Sequence, residues 1–190
     1  MKEKKERHLL IIGGTGMLSQ AVLYFVSKYK TISVIARHQG GLNRLKKQAG
    51  ERGNILNLLA VDYRNYSKLV KKVEKSVKEF GEIDTIISWI HDTAPDALLS
   101  VCRALESKST IVNLFELQSS EHGKIENYHE NRDSEFSAFQ KISYHSILLG
   151  AIRKDSTTRW LTHTEISQGV IDAVENHRKE SIIGENIYEH

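Results

Sequence analysis

Short apolar runs alternate along the chain with longer segments whose apolar residues recur every three or four positions. Because the runs are apolar on both sides, they are typical of parallel strands covered by helices on both faces of a sheet. The first half of the chain predicts strands at 8–13, 32–37, 54–61, 83–90 and 110–115, and helices at 16–28, 41–50 and 66–80.

The second half of the chain continues this alternation less regularly. Pro95 is expected in the first turn of a helix that carries Leu98 to Leu105. The polar segment 121–138 predicts a loop or a short helix. Further on, we expect an internal strand at 142–152, a helix opened by a capping box at Thr162–Glu165, and a last short strand at 181–187. The pattern predicts one domain of the α/β class, a doubly wound parallel sheet of about seven strands.

A glycine-rich turn follows the first strand and leads into the first helix. The order strand, glycine turn, helix is the arrangement that binds the pyrophosphate of a dinucleotide. Gly13 would turn the chain sharply, and Gly14 and Gly16 would let phosphates approach the backbone. Amides at the start of the helix would face the anion. The candidate residues are Gly13, Gly14, Thr15, Gly16, Met17 and Leu18. A tight turn without a ligand is the alternative.

The segment from Arg7 to Gly50 contains no acidic residue and seven basic ones. Its second predicted strand ends in Ala36, Arg37 and His38. An acidic residue at this place would bind the ribose hydroxyls of NAD, whereas an arginine accommodates the 2′-phosphate of NADP. The sequence therefore predicts that NADP(H) is preferred over NAD(H). Solvated charges on a helix face are the alternative, and the better one for Lys46 and Lys47.

Composition narrows the classes of partner and site. The chain has 190 residues, of which 39% are hydrophobic and 27% charged, as in a soluble globular protein, and we expect a cytoplasmic location by default. Its N-terminal apolar run is too short for a membrane span or a signal peptide. The single Cys102 excludes an internal disulfide and a multi-cysteine metal site, and the histidines show no metal-ligand spacing. No basic stripe is interleaved with aromatic residues, so we expect no nucleic-acid partner.

The glycine turn, the basic residue after the second strand and Val61-Asp62 after the third resemble the short-chain dehydrogenase/reductase family, over essentially the whole chain. The resemblance implies a Rossmann fold, a small-molecule substrate and a homo-oligomer, either a dimer or a tetramer. It assigns adenine binding to Asp62, for which a charge at the start of the 66–80 helix is the alternative, and Tyr63 beside it is a further cofactor-binding candidate. It also places Ser88, Trp89 and Ile90 beside the ribose and nicotinamide. This lining is bulkier than is usual in the family, and Trp89 could restrict the site to a smaller nucleotide.

The catalytic pattern of the family is incomplete in this chain. The resemblance implies a serine at the end of strand five, which corresponds to Ser119 or Ser120, followed by a tyrosine with a lysine four residues later. No such pair follows strand five. The candidates for the proton donor are therefore Tyr128, which Arg132 follows at that spacing, Tyr144, and His91 at the end of strand four, and Glu116 could line the same pocket.

Two functions remain open from the sequence. The first is an NADP(H)-dependent oxidoreductase that transfers hydride between the nicotinamide and a small carbonyl, imine or alkene. The second is a non-catalytic dinucleotide sensor, which would keep the cofactor-binding residues and lack the tyrosine–lysine pair.

Overall fold

The computed structural model describes residues 7–91, 93–119, 132–154 and 157–185. Its strands are β1 (His8–Ile12), β2 (Thr31–Ala36), β3 (Leu56–Ala60), β4 (Thr85–Ser88), β5 (Val112–Ser119), β6 (Ile142–Leu149), β7 (Ala151–Lys154), β8 (Thr157–Trp160) and β9 (Glu180–Ile183). Its α-helices are α1 (Ser19–Phe25), α2 (Gln39–Gln48), α3 (Tyr66–Phe80), α4 (Ala97–Leu105) and α5 (His163–Glu175). A 3-10 helix (Gly50–Ile55) links α2 to β3.

Seven of these strands form one parallel sheet in the order β3-β2-β1-β4-β5-β6-β9. Residues of β1 alternate between its two faces: Leu9 and Ile11 pack with α1, α2 and α5, while Leu10 and Ile12 pack with α3 and α4. Each face thus has its own apolar core. The predicted doubly wound sheet of about seven strands is confirmed.

The topology places a crevice at the carboxyl ends of β1 and β4. The chain runs outward from β1 through β2 to β3 and then crosses back to β4 on the other side of β1. The connections that leave β1 and β4 therefore lie on opposite faces of the sheet. Ligands of open parallel sheets bind at such a switch point, and here the glycine turn and Trp89 meet at it.

The strand predicted at 142–152 is two strands, β6 and β7, separated by Gly150. A Cβ at Gly150 would collide with the carbonyl oxygen of Glu185, so the chain bends where only glycine fits. β7 then pairs with β8 in an antiparallel hairpin that the sequence pattern did not predict, because the residues of β8 are all exposed and lack an apolar alternation. The last strand ends at Ile183, short of the predicted limit.

Other element boundaries differ from the predicted ones by a few residues. Pro95 precedes α4, whose N-cap is Asp96, and so lies before the first turn rather than in it. Within the predicted polar segment 121–138, residues 132–137 are helical. The candidates Ser120 and Tyr128 lie outside the described residues. In the described part of the chain, no helix is long and apolar enough to cross a membrane, and no group of three or more potential metal ligands occurs.

Candidate functional site: a groove at the carboxyl edge of the sheet

A groove of about 640 Å³ runs along the carboxyl edge of the sheet over the switch point. Five segments contribute to it: the glycine turn, the ends of β2, β3 and β4, and the start of α5. The lining residues are Gly13, Thr15, Gly16, Met17, Ala36, Arg37, His38, Asp62, Tyr63, Arg64, Trp89, His91, Thr93 and His163. Most of the predicted cofactor-binding residues thus come together in one place.

Glycine is present at the three positions of the turn for different physical reasons. Gly13 has φ +86°, and a Cβ there would lie 2.7 Å from the carbonyl oxygen of Trp89. A Cβ at Gly14 would lie 2.6 Å from Cγ1 of Val34, so this glycine packs against the core. The expectation that Gly14 faces the phosphates was therefore wrong. A Cβ at Gly16 would meet no atom within 4 Å. Only Gly16 therefore leaves open space that a ligand can use.

Main-chain hydrogen bonds hold the turn against the neighbouring strands. The Gly13 amide donates to the Ile35 carbonyl at 2.9 Å, and the Trp89 amide donates to the Ile12 carbonyl at 3.0 Å. α1 begins at Ser19, three residues later than the predicted start of the first helix. Leu18 is fully buried in the core and does not line the groove.

The end of β2 brings a positive charge to one end of the groove. Arg37 and His38 follow the buried Ala36 and are exposed. Arg37 lines this groove and also a second one beside α3. Its charge contributes to lowering the pKa of Asp62 at the end of β3. Arg37, the residue predicted to bind the 2′-phosphate of NADP, therefore lies at the groove wall.

Asp62 is already paired with a neighbour that the sequence analysis did not single out. Arg64 donates to both carboxylate oxygens of Asp62, with its Nη2 2.6 Å from Oδ2. These hydrogen bonds hold the pKa of Asp62 down to about 2. The carboxylate thus stays ionised, and an adenine that used it would share it with the guanidinium of Arg64. Tyr63 lies beside this pair in the groove wall.

The end of β4 forms the opposite part of the wall. The indole of Trp89 and the imidazole of His91 meet edge to face, with ring centroids 5.3 Å apart. Ser88, predicted to contact the cofactor, is fully buried, and its hydroxyl has no hydrogen-bond partner among the described residues. Ile90 is partly buried against the core on the α3–α4 face. Trp89 lines the groove from this side.

The structure separates the candidate acid–base residues. His91 is exposed and lines the groove, and Ser119 is the last residue of β5. Tyr144 on β6 is 6% exposed and does not line it. Its hydroxyl donates to Glu116 at 2.8 Å and accepts from the amide of Gln118 at 2.7 Å. Among the described candidates, His91 is therefore the titratable group placed to meet a ligand in the groove.

Glu116 and Arg132 form a buried ion pair behind the carboxyl edge of the sheet. Arg132 donates to Glu116 through Nε, at 3.1 Å from Oε2, and through Nη2 to Oε1. Its guanidinium also lies over the ring of Phe136, 4.8 Å from the centroid, and Phe136 stacks on Tyr144. Arg132 is thus engaged with Glu116, whereas its spacing in the sequence had suggested a pair with Tyr128, which lies outside the described residues.

Three residues of the groove were not predicted as site residues. Thr93 and Arg64 follow strands at the carboxyl edge, where the parallel order of the sheet places them automatically. His163 is the first residue of α5, directly after the N-cap Thr162, whose capping box is confirmed. The sequence located this helix start, but only the topology shows that it returns to the groove.

No protein-family model matches the sequence, and no curated protein matches it either. Solved structures do match the fold. A short-chain dehydrogenase/reductase (glucose/ribitol dehydrogenase) from Brucella melitensis has a TM-score of 0.75 at 14% identity, covering 97% of this chain and 98% of its own. An alcohol dehydrogenase from Thermococcus sibiricus, complexed with 5-hydroxy-NADP, has a TM-score of 0.72 at 13% identity, with the same coverage.

A putative D-mannonate oxidoreductase from Haemophilus influenza with bound NAD has a TM-score of 0.70 at 9% identity, covering 96% of this chain and 95% of its own. The neighbours span both the NADP-type and the NAD ligand, so the likeness itself does not distinguish between them. The chain has the fold of the short-chain dehydrogenases/reductases, as the resemblance in sequence predicted.

Proposed function

We propose that this chain is a divergent short-chain oxidoreductase that binds NADP(H) in preference to NAD(H) and transfers hydride between the nicotinamide and a small carbonyl-like substrate. The observation that carries the proposal is the groove at the switch point, which is lined both by Gly16, with open space beside it, and by Arg37. The fold of the neighbours, which include oxidoreductases, supports it.

The residues present fit a phosphorylated dinucleotide. The missing Cβ of Gly16 leaves room for a pyrophosphate, and a groove of about 640 Å³ is within the usual range for a bound cofactor. Arg37 and His38 would hold the adenosine end, where a guanidinium can bind a 2′-phosphate with two parallel hydrogen bonds. Asp62 and Tyr63 would flank the adenine, and Trp89 would cover the nicotinamide half.

The nicotinamide supplies or accepts the hydride, and the chain has to supply the proton and the orientation. His91 lies in the wall and is exposed, so its imidazole can take up a proton from solvent and deliver it to a carbonyl oxygen. The indole of Trp89 restricts the positions of this imidazole and excludes water from one side of it. Ser119, or Ser120 outside the described residues, would orient the carbonyl.

The cofactor preference is tested by calorimetric titration of NADPH and NADH into the wild-type protein and Arg37→Ala. A hydrogen-bonded charge pair contributes about 1.5–3 kcal/mol, so the substitution should weaken NADPH about 10- to 100-fold and leave NADH within about twofold. Arg44→Ala on α2, which lines neither groove at Arg37, is the matched control and should change neither affinity. Equal losses for both cofactors in Arg37→Ala would refute the preference.

Turnover is tested with the preferred cofactor and a panel of aldehydes, ketones and quinones, followed at the absorbance of the reduced nicotinamide. We expect oxidation of NADPH and a drop of about 100-fold in kcat for His91→Gln with the affinity for NADPH unchanged, which is the usual scale of general acid catalysis. An unchanged kcat in this variant would remove His91 from the reaction.

The second candidate function is a non-catalytic dinucleotide sensor. It is favoured by the buried position of Tyr144, whose hydroxyl is engaged with Glu116 and Gln118 rather than with the groove. Tight binding of NADPH without oxidation of the cofactor by any carbonyl would establish this function. Four further expectations remain proposals under either function. They are a small-molecule substrate, a homo-oligomeric state, a single-domain organisation and a cytoplasmic location.

A further inference from the structure

A second groove, of about 630 Å³, lies between the end of β3 and the exposed side of α3. We call it the α3 groove. Lys68, Lys71, Lys72 and Lys75 line it from the helix, and Arg37 lines it from the end of β2. The lysine spacing of three, four and seven residues brings all four side chains onto one stripe of the helix, which extends over about 10 Å at the rise of an α-helix.

The lysine stripe is unfavourable for the helix itself. Like charges three and four residues apart destabilise a helix by a few tenths of a kcal/mol per pair, and this stripe contains several such pairs. The packing of α3 does not require them, because Leu69 and Val73 provide its buried side. Lys75 forms an ion pair with Glu79 at 3.5 Å, but this pair is exposed and contributes little to stability. A bound anion in the groove would remove this repulsion.

The one carboxylate among the lining residues does not neutralise the stripe. Asp62 is engaged by Arg64, which donates to both of its oxygens and lies outside the α3 groove. Five cationic side chains therefore face a space in which the negative charge is already paired. The size of the groove suits a small ligand, since cavities of this volume hold single nucleotide-sized molecules.

We propose that the α3 groove binds a small ligand that carries two or more linked phosphate groups. Arg37 and Asp62 lie in both grooves, so an occupied α3 groove draws on the same guanidinium that is assigned to the 2′-phosphate of NADP(H). The ligand would therefore weaken the binding of NADPH and leave that of NADH nearly unchanged. This regulatory consequence rests on the proposed NADP(H) site, whereas the anion site itself does not.

The test uses inorganic tripolyphosphate as the probe and the protein without dinucleotide, at about 0.15 M salt. Heat of binding is compared for the wild type, for Lys71→Ala/Lys72→Ala and for Lys78→Ala, a lysine on the same helix that does not line the groove. We expect saturable binding, at least tenfold weaker in the double variant and within about twofold in Lys78→Ala. Inorganic phosphate should bind more weakly than tripolyphosphate because it spans fewer lysines.

The outcomes separate this inference from the proposed function. Tripolyphosphate bound at the glycine turn would survive the double substitution, and that result would overturn the proposal, as would equal losses in Lys78→Ala or no saturable binding at all. A short single-stranded oligonucleotide that binds more tightly than tripolyphosphate would overturn the assignment of a small ligand. Binding of tripolyphosphate without binding of NADPH would support the α3 groove and refute the NADP(H) site. In the final step, saturating tripolyphosphate should raise the Kd of NADPH at least fivefold and that of NADH less than twofold.

Discussion

The guanidinium of Arg132 and the carboxylate of Glu116 are each about 10% exposed and form an ion pair, and Arg132 also pairs with the more exposed Glu135 at 2.6 Å. Tyr144 and Gln118 add two further hydrogen bonds to the carboxylate. Such a pair adds little to stability compared with apolar residues of the same size, but removal of one partner leaves an uncompensated buried charge. The pair fixes the helical segment 132–137 to the sheet.

Arg132→Ala should lower the free energy of unfolding by about 3–5 kcal/mol, measured by urea denaturation at neutral pH. Arg178→Ala is the control, because the pair of Arg178 with Asp172 is exposed on both sides and should contribute less than about 1 kcal/mol. The double variant Glu116→Leu/Arg132→Met should recover most of the loss. Similar losses in Arg132→Ala and Arg178→Ala would mean that solvent screens the buried pair.

For single residues, the sequence predicted their positions in the fold better than it predicted the contacts of their side chains. The cofactor candidates at the ends of β2, β3 and β4 lie in or next to the groove, because the carboxyl ends of parallel strands share one edge. Tyr144 was predicted to be a possible proton donor, but its register on β6 directs its side chain into the apolar core beside Phe136. The direction of one side chain depends on register and neighbouring strands, which are non-local.

Among the secondary-structure elements, α3 is attached to the sheet by a polar network as well as by apolar packing. His8 on β1 donates through Nδ1 to the Gly81 carbonyl, at 2.9 Å, and accepts through Nε2 from the hydroxyl of Ser33, at 2.8 Å. Ser33 in turn contacts Ser76 of α3, and Asn57 of β3 donates to both hydroxyls. The network connects three strands with one helix and requires a neutral imidazole.

Burial lowers the pKa of His8 below its ordinary value of 6.5. The folded protein therefore favours the neutral imidazole, and this contribution to stability is complete above pH 6.5 and is lost as the pH falls below it. We expect the free energy of unfolding to decrease between pH 7 and pH 5, and His8→Gln to reduce this slope. His145, whose pKa burial also lowers, accounts for the slope that remains.

The carboxylates do not obscure this measurement. The pKa values of Asp62, Glu82 and Glu165 are each held at about 2 by hydrogen bonds, so their stabilisation is lost only at lower pH, between their ordinary values and about 2. A slope between pH 7 and pH 5 that is the same in His8→Gln as in the wild type would show that the network tolerates an imidazolium.

The existence and order of most elements could be predicted from periodicity alone, since each buried face leaves its own repeat in the sequence. The predicted limits of α3, 66–80, agree with the structure, in which Asn65 caps the start of the helix and Gly81 follows its end. The β7–β8 hairpin was missed for the opposite reason. Its exposed second strand carries no apolar pattern, and the bend at Gly150 is required by Glu185, which is distant in sequence.

For the molecule as a whole, the sheet order separates charge in space. Residues 7–81 contain 14 basic and four acidic residues, a net charge of +10, whereas residues 82–190 contain ten basic and 18 acidic residues, a net charge of −8. The strands of the first segment occupy the β3-β2-β1 side of the sheet, and the described strands of the second occupy the other side. The groove passes from one side to the other at the switch point.

A phosphorylated cofactor should therefore be attracted to the β3 side before it reaches the groove. We expect the association rate constant of NADPH, measured by stopped-flow fluorescence, to fall steeply as ionic strength rises from about 0.02 to 0.5 M, because salt screens charges beyond the first few ångströms. The slope should be smaller for NADH, which carries less negative charge. Identical slopes for the two cofactors would indicate that the charge separation does not steer the ligand.

The three glycines of the turn should be conserved to different degrees during evolution. Gly13 and Gly14 are required by backbone conformation and by packing against Trp89 and Val34, so the fold needs them whether or not a ligand binds. Gly16 has no such neighbour, and only a ligand would penalise a side chain there. Under the proposed function, descendants of this chain that no longer bind a dinucleotide should therefore retain the first two glycines and become variable at the third.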